Sequence, residues 1–213
     1  MQWHASSYEA IIDYAHDKNF DLIIKATQQE DGITAVIFTP TDWHIIRKSD
    51  IPVLMVKSHA WQANGHIICA LDVLANSDEH KSLNTQLIQS SQNLGDIIGA
   101  TVHLVNSYPG TPINIAIELP DFDVHAYNEA IKTQHEQRTL ELATQHKINA
   151  NHCHVREGLP DDIIPEVAKK IDAQLVILGT SGRTGISAAL IGNTAEHVID
   201  SLNCDLLTIK YCE

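Results

Sequence analysis

Short apolar runs alternate with segments of three-to-four-residue apolar spacing between residues 65 and 210. Short runs are typical of buried strands, whereas apolar residues spaced by three or four are typical of helices with one buried face. The predicted strands span residues 66–72, 101–106, 151–156, 174–178 and 205–210. The predicted helices span residues 83–98, 124–147, 160–171 and 193–202. This order predicts an α/β fold with a Rossmann-like, five-stranded parallel sheet that helices cover on both faces.

The chain also contains an internal repeat. A shift of 153 residues aligns residues 15–57 with residues 168–210 without a gap, and it pairs Leu22 with Leu175 and Leu54 with Leu207. An internal repeat of this length indicates two copies of one domain. We therefore expect a complete domain over 61–213 and, over 1–60, only the C-terminal half of a degenerate domain.

The incomplete first copy predicts an unusual surface. In the second copy, strand 174–178 has strand 66–72 as its neighbour. The equivalent strand of the first copy, 21–26, has no such neighbour. An apolar strand with an unpaired edge tends to pair with another chain. We expect a second copy of the chain to cover this edge, which makes the protein a homo-oligomer; the alternative is that residues 1–60 are only marginally ordered.

Composition narrows the class of protein. The chain has 14 Lys and Arg against 27 Asp and Glu, a formal charge of −13, and this argues against binding to nucleic acid or anionic membranes. No apolar run has the length of a membrane helix, and no secretory signal is visible. The cysteines are Cys69, Cys153, Cys204 and Cys212. Their scattered spacing is typical of free thiols in a reducing compartment, so we expect a cytoplasmic protein.

A glycine-bearing segment after the fourth predicted strand suggests a phosphate site. Gly179, Gly182 and Gly192 have the spacing G-x2-G-x9-G and precede a predicted helix. Free backbone N–H groups and a helix N-terminus favour anions in such a loop. Asp72 ends another strand at the same edge of the sheet, where ligands of this fold bind. The alternatives are a structural turn for the glycines and a cap or ion pair for Asp72.

Three motifs resemble the universal stress protein family, in its tandem-domain E type. They are the sequence ALD ending at Asp72, the sequence EGLPDDII over 157–164, and the glycine spacing above. The resemblance implies an adenine nucleotide α-hydrolase-like fold and ATP as the ligand. It implies that Asp72 contacts adenine, that Gly179, Gly182 and Gly192 pack on phosphate and ribose, and that Val105 lies near the adenine.

One position departs from the nucleotide-binding pattern of the family. Asn193 follows Gly192, where that pattern has Ser or Thr. The Asn193 amide can still donate to a phosphate oxygen, and the neighbouring Thr194 offers a hydroxyl. Arg183 either reaches a phosphate or is solvated. Binding of ATP and binding of a different ligand both remain open.

The first copy lacks this chemistry. The three glycines and Asn193 correspond there to Ala26, Gln29, Thr39 and Pro40. Side chains block close approach of a phosphate to the backbone, and proline removes a donor. We expect this copy to bind no nucleotide. The resemblance further implies that strands 52–57 and 205–210 pair antiparallel within the chain, as a pseudo-dimer.

No set of residues predicts catalysis or a metal site. The loop has no lysine after its second glycine, and no paired carboxylates or nucleophile with a base are evident. His152 and His154 share one strand face, but no further ligand lies near them in sequence. The leading interpretation is a non-catalytic stress-response protein that binds an adenine nucleotide. The alternative is an interaction scaffold with a vestigial site or a different small ligand.

Overall fold

A computed structural model describes residues 6–29, 36–37, 39–57, 60–111, 123–180, 198–199 and 201–211. The first copy contains α1 (Ser7–Asp17), β1 (Ile23–Ala26), β2 (Gln28–Gln29), β3 (Val36–Ile37), α2 (Pro40–Lys48) and β4 (Val53–Val56). The second copy contains β5 (His66–Ala70), α3 (Asp78–Ile98), β6 (Thr101–Tyr108), α4 (Val124–Gln145), a 3₁₀ turn (Ala150–His152), β7 (Cys153–Glu157), α5 (Pro160–Lys170), β8 (Ala173–Thr180) and β9 (Asp205–Lys210). Residues 198, 199 and 201 are helical, within the predicted last helix.

Seven strands form one mixed sheet in the order β1-β4-β9-β8-β5-β6-β7. All neighbours are parallel except β4 and β9, which are antiparallel. The prediction of an α/β fold is confirmed, whereas the prediction of a five-stranded sheet is wrong. The five parallel strands of the second copy are present, but their sheet continues into β4 and β1. The sheet continues because β4 and β9, the last strands of the two copies, are apolar and pair with each other along their free edges.

The β4–β9 pairing confirms the predicted antiparallel contact within the chain. Val53 lies opposite Thr208, Leu54 opposite Leu207, and Met55 opposite Leu206. The central pair, Leu54 and Leu207, consists of residues that the repeat also makes equivalent. The two copies are therefore related by a local pseudo-twofold axis at this pair.

Two lysines at equivalent positions fix the ends of this pairing. Lys210 Nζ lies 2.6 Å from the carboxylate of Asp50, which belongs to the first copy. Lys57 is buried, its Nζ donates to the Leu202 carbonyl, and its backbone N–H donates to Asp205 Oδ1 at 2.6 Å. The lysine of each copy therefore binds to an oxygen atom of the other copy.

A hydrophobic core lies on each face of the sheet. One core contains residues of both copies, among them Ile45, Met55, Ile199 and Leu206, together with the apolar stripe of α5. The other core lies under α3 and α4 and contains Leu83, Leu87 and Ile177 among its members. The first copy is therefore joined to the second by shared apolar burial as well as by strand pairing. None of the helices in the described ranges is long and apolar enough to cross a membrane.

The predicted helix start at Pro160 is confirmed, and a glycine sets up this start. Gly158 has a φ of 142°, a conformation that side chains disfavour, and it donates its N–H to the Tyr108 carbonyl at 2.9 Å. Pro160 then occupies the first turn of α5, with Asp161 and Asp162 beside it near the positive end of the helix dipole.

The opposite end of the sheet is less well covered. β1 is its terminal strand, and it pairs only with β4 in the described part of the chain. Large apolar side chains are exposed beside it: Tyr14 (59%), Phe20 (50%), Leu22 (39%) and Ile24 (63%). Leu22 and Ile24 alternate with the buried Ile23, so they lie on the sheet face that no described helix covers here.

We expect the two copies to unfold as one unit, because β4 and β9 share a sheet and a core. Met55→Ala removes a side chain with no exposure and should lower the free energy of unfolding by about 2–5 kcal/mol. Ile97→Ala, at a position that is 78% exposed, should change it by less than about 0.5 kcal/mol. Urea unfolding followed by circular dichroism checks both values. Two separate transitions, with only one shifted by Met55→Ala, would show that the copies fold independently.

Candidate functional site

The candidate site lies where the order of the parallel strands reverses. β5 is central, β6 and β7 lie to one side of it, and β8 and β9 lie to the other. The carboxyl ends of β5 and β8 are adjacent, since Cys69, one residue before the end of β5, lies opposite Ile177, three residues before the end of β8. Asp72 follows β5, and Gly179 and Thr180 end β8. The structure therefore brings Asp72 and the start of the glycine-bearing segment to one crevice, where ligands bind in this type of sheet.

Two asparagine side chains hold the backbone that carries Asp72. Asn84, on α3, donates its amide to the Asp72 carbonyl at 2.8 Å. Asn106, on β6, donates to the Leu71 carbonyl at 2.9 Å and is 3% exposed. The Leu71 N–H donates in turn to the Val105 carbonyl at 2.9 Å. Asp72 itself is exposed, so a fixed backbone presents its side chain to solvent.

A histidine of α4 completes this network. His135 Nδ1 lies 2.7 Å from Asn106 Oδ1, and because an amide oxygen only accepts, Nδ1 carries the proton. Burial lowers the pKa of His135, while the nearby charge of Asp72 acts in the opposite direction. The Tyr108 ring packs on His135 with the two ring centroids 5.1 Å apart. A neutral imidazole and two amides thus form the polar floor of the crevice on its β6 side.

Sequence reasoning did not find Asn84, Asn106 or His135. The detectable signal was Asn106 itself, a polar residue inside an otherwise apolar strand pattern. Nothing in the spacing of α4 identified His135 as its partner, since 29 positions separate the two residues. Only the packing of α4 on β6 brings them together.

Two of the predicted site residues have clear packing roles. A side chain at Gly179 would approach Leu83 Cδ2 to within 2.7 Å, so the glycine allows α3 to pack closely on β8. Val105 is 1% exposed and belongs to the core on the α5 face. Its side chain is thus surrounded by apolar residues rather than open to the crevice. The other predicted site residues, Gly182, Arg183, Gly192, Asn193 and Thr194, lie outside the described residues.

The first copy differs where the second has its glycine-bearing segment. Gln28–Gln29 pairs antiparallel with Val36–Ile37, so two short strands follow β1. Thr39 then caps α2: its backbone N–H donates to Asp42 Oδ2 at 2.7 Å, and its hydroxyl donates to the same oxygen at 2.8 Å. The Asp42 side chain is fully buried and forms an ion pair with Lys25. A carboxylate of the protein itself therefore occupies the anion position at this helix N-terminus.

Four histidines lie close together toward the amino-terminal side of the sheet, on β5, β6, β7 and the 3₁₀ turn. His103 Nδ1 lies 3.0 Å from His154 Nε2, and His103 Nε2 lies 3.0 Å from His66 Nδ1. The ring of His152 is 4.8 Å from that of His103. Sequence spacing had identified only His152 and His154 as neighbours. Among the described residues, no group of His, Cys, Asp or Glu is arranged to hold a metal ion.

The described cysteines have the character of core residues. Burial raises the pKa of Cys69 to about 12 and that of Cys204 to about 11, and it also raises the pKa of Cys153. All three thiols are free. Because the thiolate is the reactive form, these cysteines are poor nucleophiles and poor redox centres. Cys212 lies outside the described residues.

Comparison with known proteins gives consistent matches. The sequence profile of the Universal stress protein family matches residues 1–57 and 64–210. Universal stress protein E of Escherichia coli K12 is 48% identical over 209 residues, which are 98% of this chain and 66% of that protein. The Universal stress protein E homolog of Haemophilus influenzae is 45% identical over 209 residues, covering 98% and 68%. The chain thus spans about two thirds of the length of these relatives.

A solved structure has the same fold. The crystal structure of a functionally unknown protein from Pseudomonas aeruginosa PAO1 superposes with a TM-score of 0.81 at 32% identity. The match covers 98% of this chain and 69% of that one. The arrangement of both copies around the β4–β9 pair therefore also occurs in a crystal structure.

Asn106→Leu should destabilise the site and the domain together. The substitution keeps the branched shape and the number of side-chain heavy atoms but leaves the Leu71 carbonyl and the His135 N–H without partners in a buried region. We expect the free energy of unfolding to fall by about 2–4 kcal/mol. Asn151→Leu, at an exposed position of the 3₁₀ turn, is the matched control and should cost less than about 0.5 kcal/mol. Equal losses in both variants, measured by urea unfolding, would contradict the proposed network.

Proposed function

This chain belongs to the universal stress protein family, and we propose that residues 61–213 form a domain that binds an adenine nucleotide, with ATP as the first candidate. The observation that carries this proposal is the position of Asp72. It stands at the strand-order reversal, beside the end of β8, on a backbone that two buried amides hold. A fixed carboxylate at this position is suited to accept from an amino group such as that of adenine.

The phosphate part of the proposal rests on the segment that begins at Gly179. Gly182 and Gly192 supply backbone without side chains, and Arg183, Asn193 and Thr194 supply donors for phosphate oxygens. The structural contrast with the first copy supports the assignment to the second copy alone. Asp42 has taken the anion position in the first copy, whereas the aligned position in the second copy is Ala195, which cannot do so.

We propose a binding function rather than catalysis, in the cytoplasm. His135 is close enough to Asp72 for the charge of that carboxylate to affect its pKa, but its Nδ1 proton is committed to Asn106. A nucleotide would then act by changing the conformation of the domain or its contacts with partners. The free thiols and the net negative charge fit a reducing, non-membrane environment.

A scaffold with a vestigial site is the second candidate. The observation in its favour is that Gly179 has a packing role against Leu83, so this glycine does not by itself require a phosphate. A different small ligand, such as an apolar one admitted beside Tyr108, fits the same crevice. A third possibility, ATP hydrolysis, requires magnesium-dependent turnover that Asp72→Ala abolishes.

We expect ATP binding that depends on Asp72. Isothermal titration with millimolar ATP should give about one site, and Asp72→Ala should weaken affinity by about tenfold, the value of one hydrogen bond to a charged group. Asp96→Ala removes an equally exposed carboxylate near the far end of α3 and should leave affinity unchanged. Gly182→Glu should abolish binding by placing a charged side chain in the phosphate segment.

Mass spectrometry of small molecules released from freshly purified protein provides an independent measurement. About one equivalent of ATP, ADP or AMP, absent from Gly182→Glu, supports the nucleotide site. No released nucleotide and no binding of added ATP would favour the scaffold. If another compound is released from both the unaltered chain and Gly182→Glu, its binding site lies outside the phosphate segment.

We also propose that the protein forms a homo-oligomer through the free edge of β1. The exposed apolar side chains of Leu22 and Ile24 lie beside this unpaired edge. Light scattering after size exclusion should therefore give at least twice the monomer mass, and Ile24→Lys should shift it toward the monomer. Ile97→Lys, an equally polar change at an exposed apolar residue of α3, is the control. A monomer at high protein concentration would contradict this assembly.

A further inference from the structure

The four histidines at the amino-terminal edge of the sheet form what we call the imidazole cluster: His66, His103, His152 and His154. They come from three adjacent strands and the turn before β7. His103 is the central member, 7% exposed, and each of its ring nitrogens lies 3.0 Å from a nitrogen of another histidine. His66 begins β5, whereas Asp72 follows the opposite end of the same strand.

The hydrogen bonds restrict how many protons the cluster can hold. A contact between two ring nitrogens needs one proton between them, so one nitrogen must donate and the other must accept. In the neutral cluster, His103 donates on one side and accepts on the other. One added proton lets His103 donate to both neighbours, but His66 and His154 must then both accept. A second proton on either neighbour would place two N–H groups face to face.

The surroundings of the cluster disfavour added charge. His154 faces Arg156 on its own strand and Lys170 at the end of α5, and the carboxylate of Glu166 is engaged with Arg156 at 2.8 Å. His152 and His66 add their own rings around His103. Burial, then the neighbouring histidines, lower the pKa of His103 to about 4, and burial and these cations lower that of His154.

We propose that the imidazole cluster is a proton-sensitive latch that holds the amino ends of β5, β6 and β7 together while it is neutral and releases them on acidification. The three strands are joined here side chain to side chain, in addition to their backbone pairing. Protonation of more than one ring breaks the ring-to-ring contacts and places like charges 3 Å apart. The unfolded chain carries no such restriction, because its histidines titrate separately.

The direction of the effect follows from proton binding. The folded state binds fewer protons than the unfolded state between pH 6.5, the ordinary value for histidine, and about pH 4, the value for His103. The stabilisation is therefore complete above pH 6.5 and is lost as the pH falls through this range. His103 alone should make the folding equilibrium constant about tenfold smaller at pH 5.5 than at pH 7.5.

The test compares urea unfolding at pH 7.5 and pH 5.5 for the intact chain and for His103→Gln. Glutamine keeps a donor and an acceptor at this position but does not titrate. The factor by which the folding equilibrium constant falls from pH 7.5 to pH 5.5 should be about tenfold smaller in His103→Gln than in the unaltered chain. His125→Gln, at an exposed position of α4, is the matched control and should behave as the unaltered chain. Equal pH dependence of His103→Gln and the unaltered chain would overturn the proposal.

Two further measurements keep the proposal testable if His103→Gln does not fold. In NMR spectra of the unaltered chain, the His103 ring should stay neutral at pH 5.5. A His103 ring that is charged at pH 5.5 would overturn the latch. Zinc chloride added at pH 7.5 should leave the unfolding midpoint unchanged. Stabilisation by zinc that His103→Gln abolishes would show a metal site instead and would also overturn it.

Discussion

The structure depends on one antiparallel contact between β4 and β9. This contact attaches β1 and β4 of the first copy to a five-stranded sheet that could otherwise end at β9. It also places Met55 and Ile45 in the same core as Leu206 and Ile199, so the first copy contributes to the burial of the second. Because Leu54 and Leu207 are both opposite each other and equivalent by the repeat, the contact has local twofold symmetry. Two short strands with two helices are marginal on their own, and the shared core removes that limitation.

The two copies show how one framework supports different chemistry at the same position. Both have a strand before this position, β1 and β8, and their residues align 153 positions apart. In the first copy, the capping residue Thr39 binds the carboxylate of Asp42, and Lys25 neutralises it. A buried, paired carboxylate is costly to displace, since it would leave the lysine without its partner. This position of the first copy has thus become part of the folded structure.

Periodicity predicted the elements of the second copy well, because each strand and helix buries a regular stripe of its own residues. The start of α5 at Pro160 and the extent of β9 are examples. The repeat identified 52–57 and 205–210 as equivalent strands, and the resemblance to the family implied that they pair, although the sheet itself was predicted with five strands. The network of Asn84, Asn106 and His135 was not predictable in this way, because its members lie on three separate elements. The same holds for the imidazole cluster, whose central residue looks in sequence like one polar interruption of an apolar strand.

β5 connects the two polar features of the second domain. Its amino end carries His66 of the imidazole cluster, and Asp72 follows its carboxyl end. Between them, Ile67, Ile68 and Cys69 are completely buried and face alternate cores, so the strand has little freedom to move independently of the sheet. The register with β8 shifts between His66 and Ile67, which makes the histidine end the less regular part of this pairing. If that end were released, Asn84 and Asn106 would still hold the backbone at Asp72. The central pairing of β5 with β6 and β8 would also keep the crevice in place. The geometry therefore separates a rigid carboxyl edge suited to a ligand from an amino edge whose order depends on the charge of four imidazole rings.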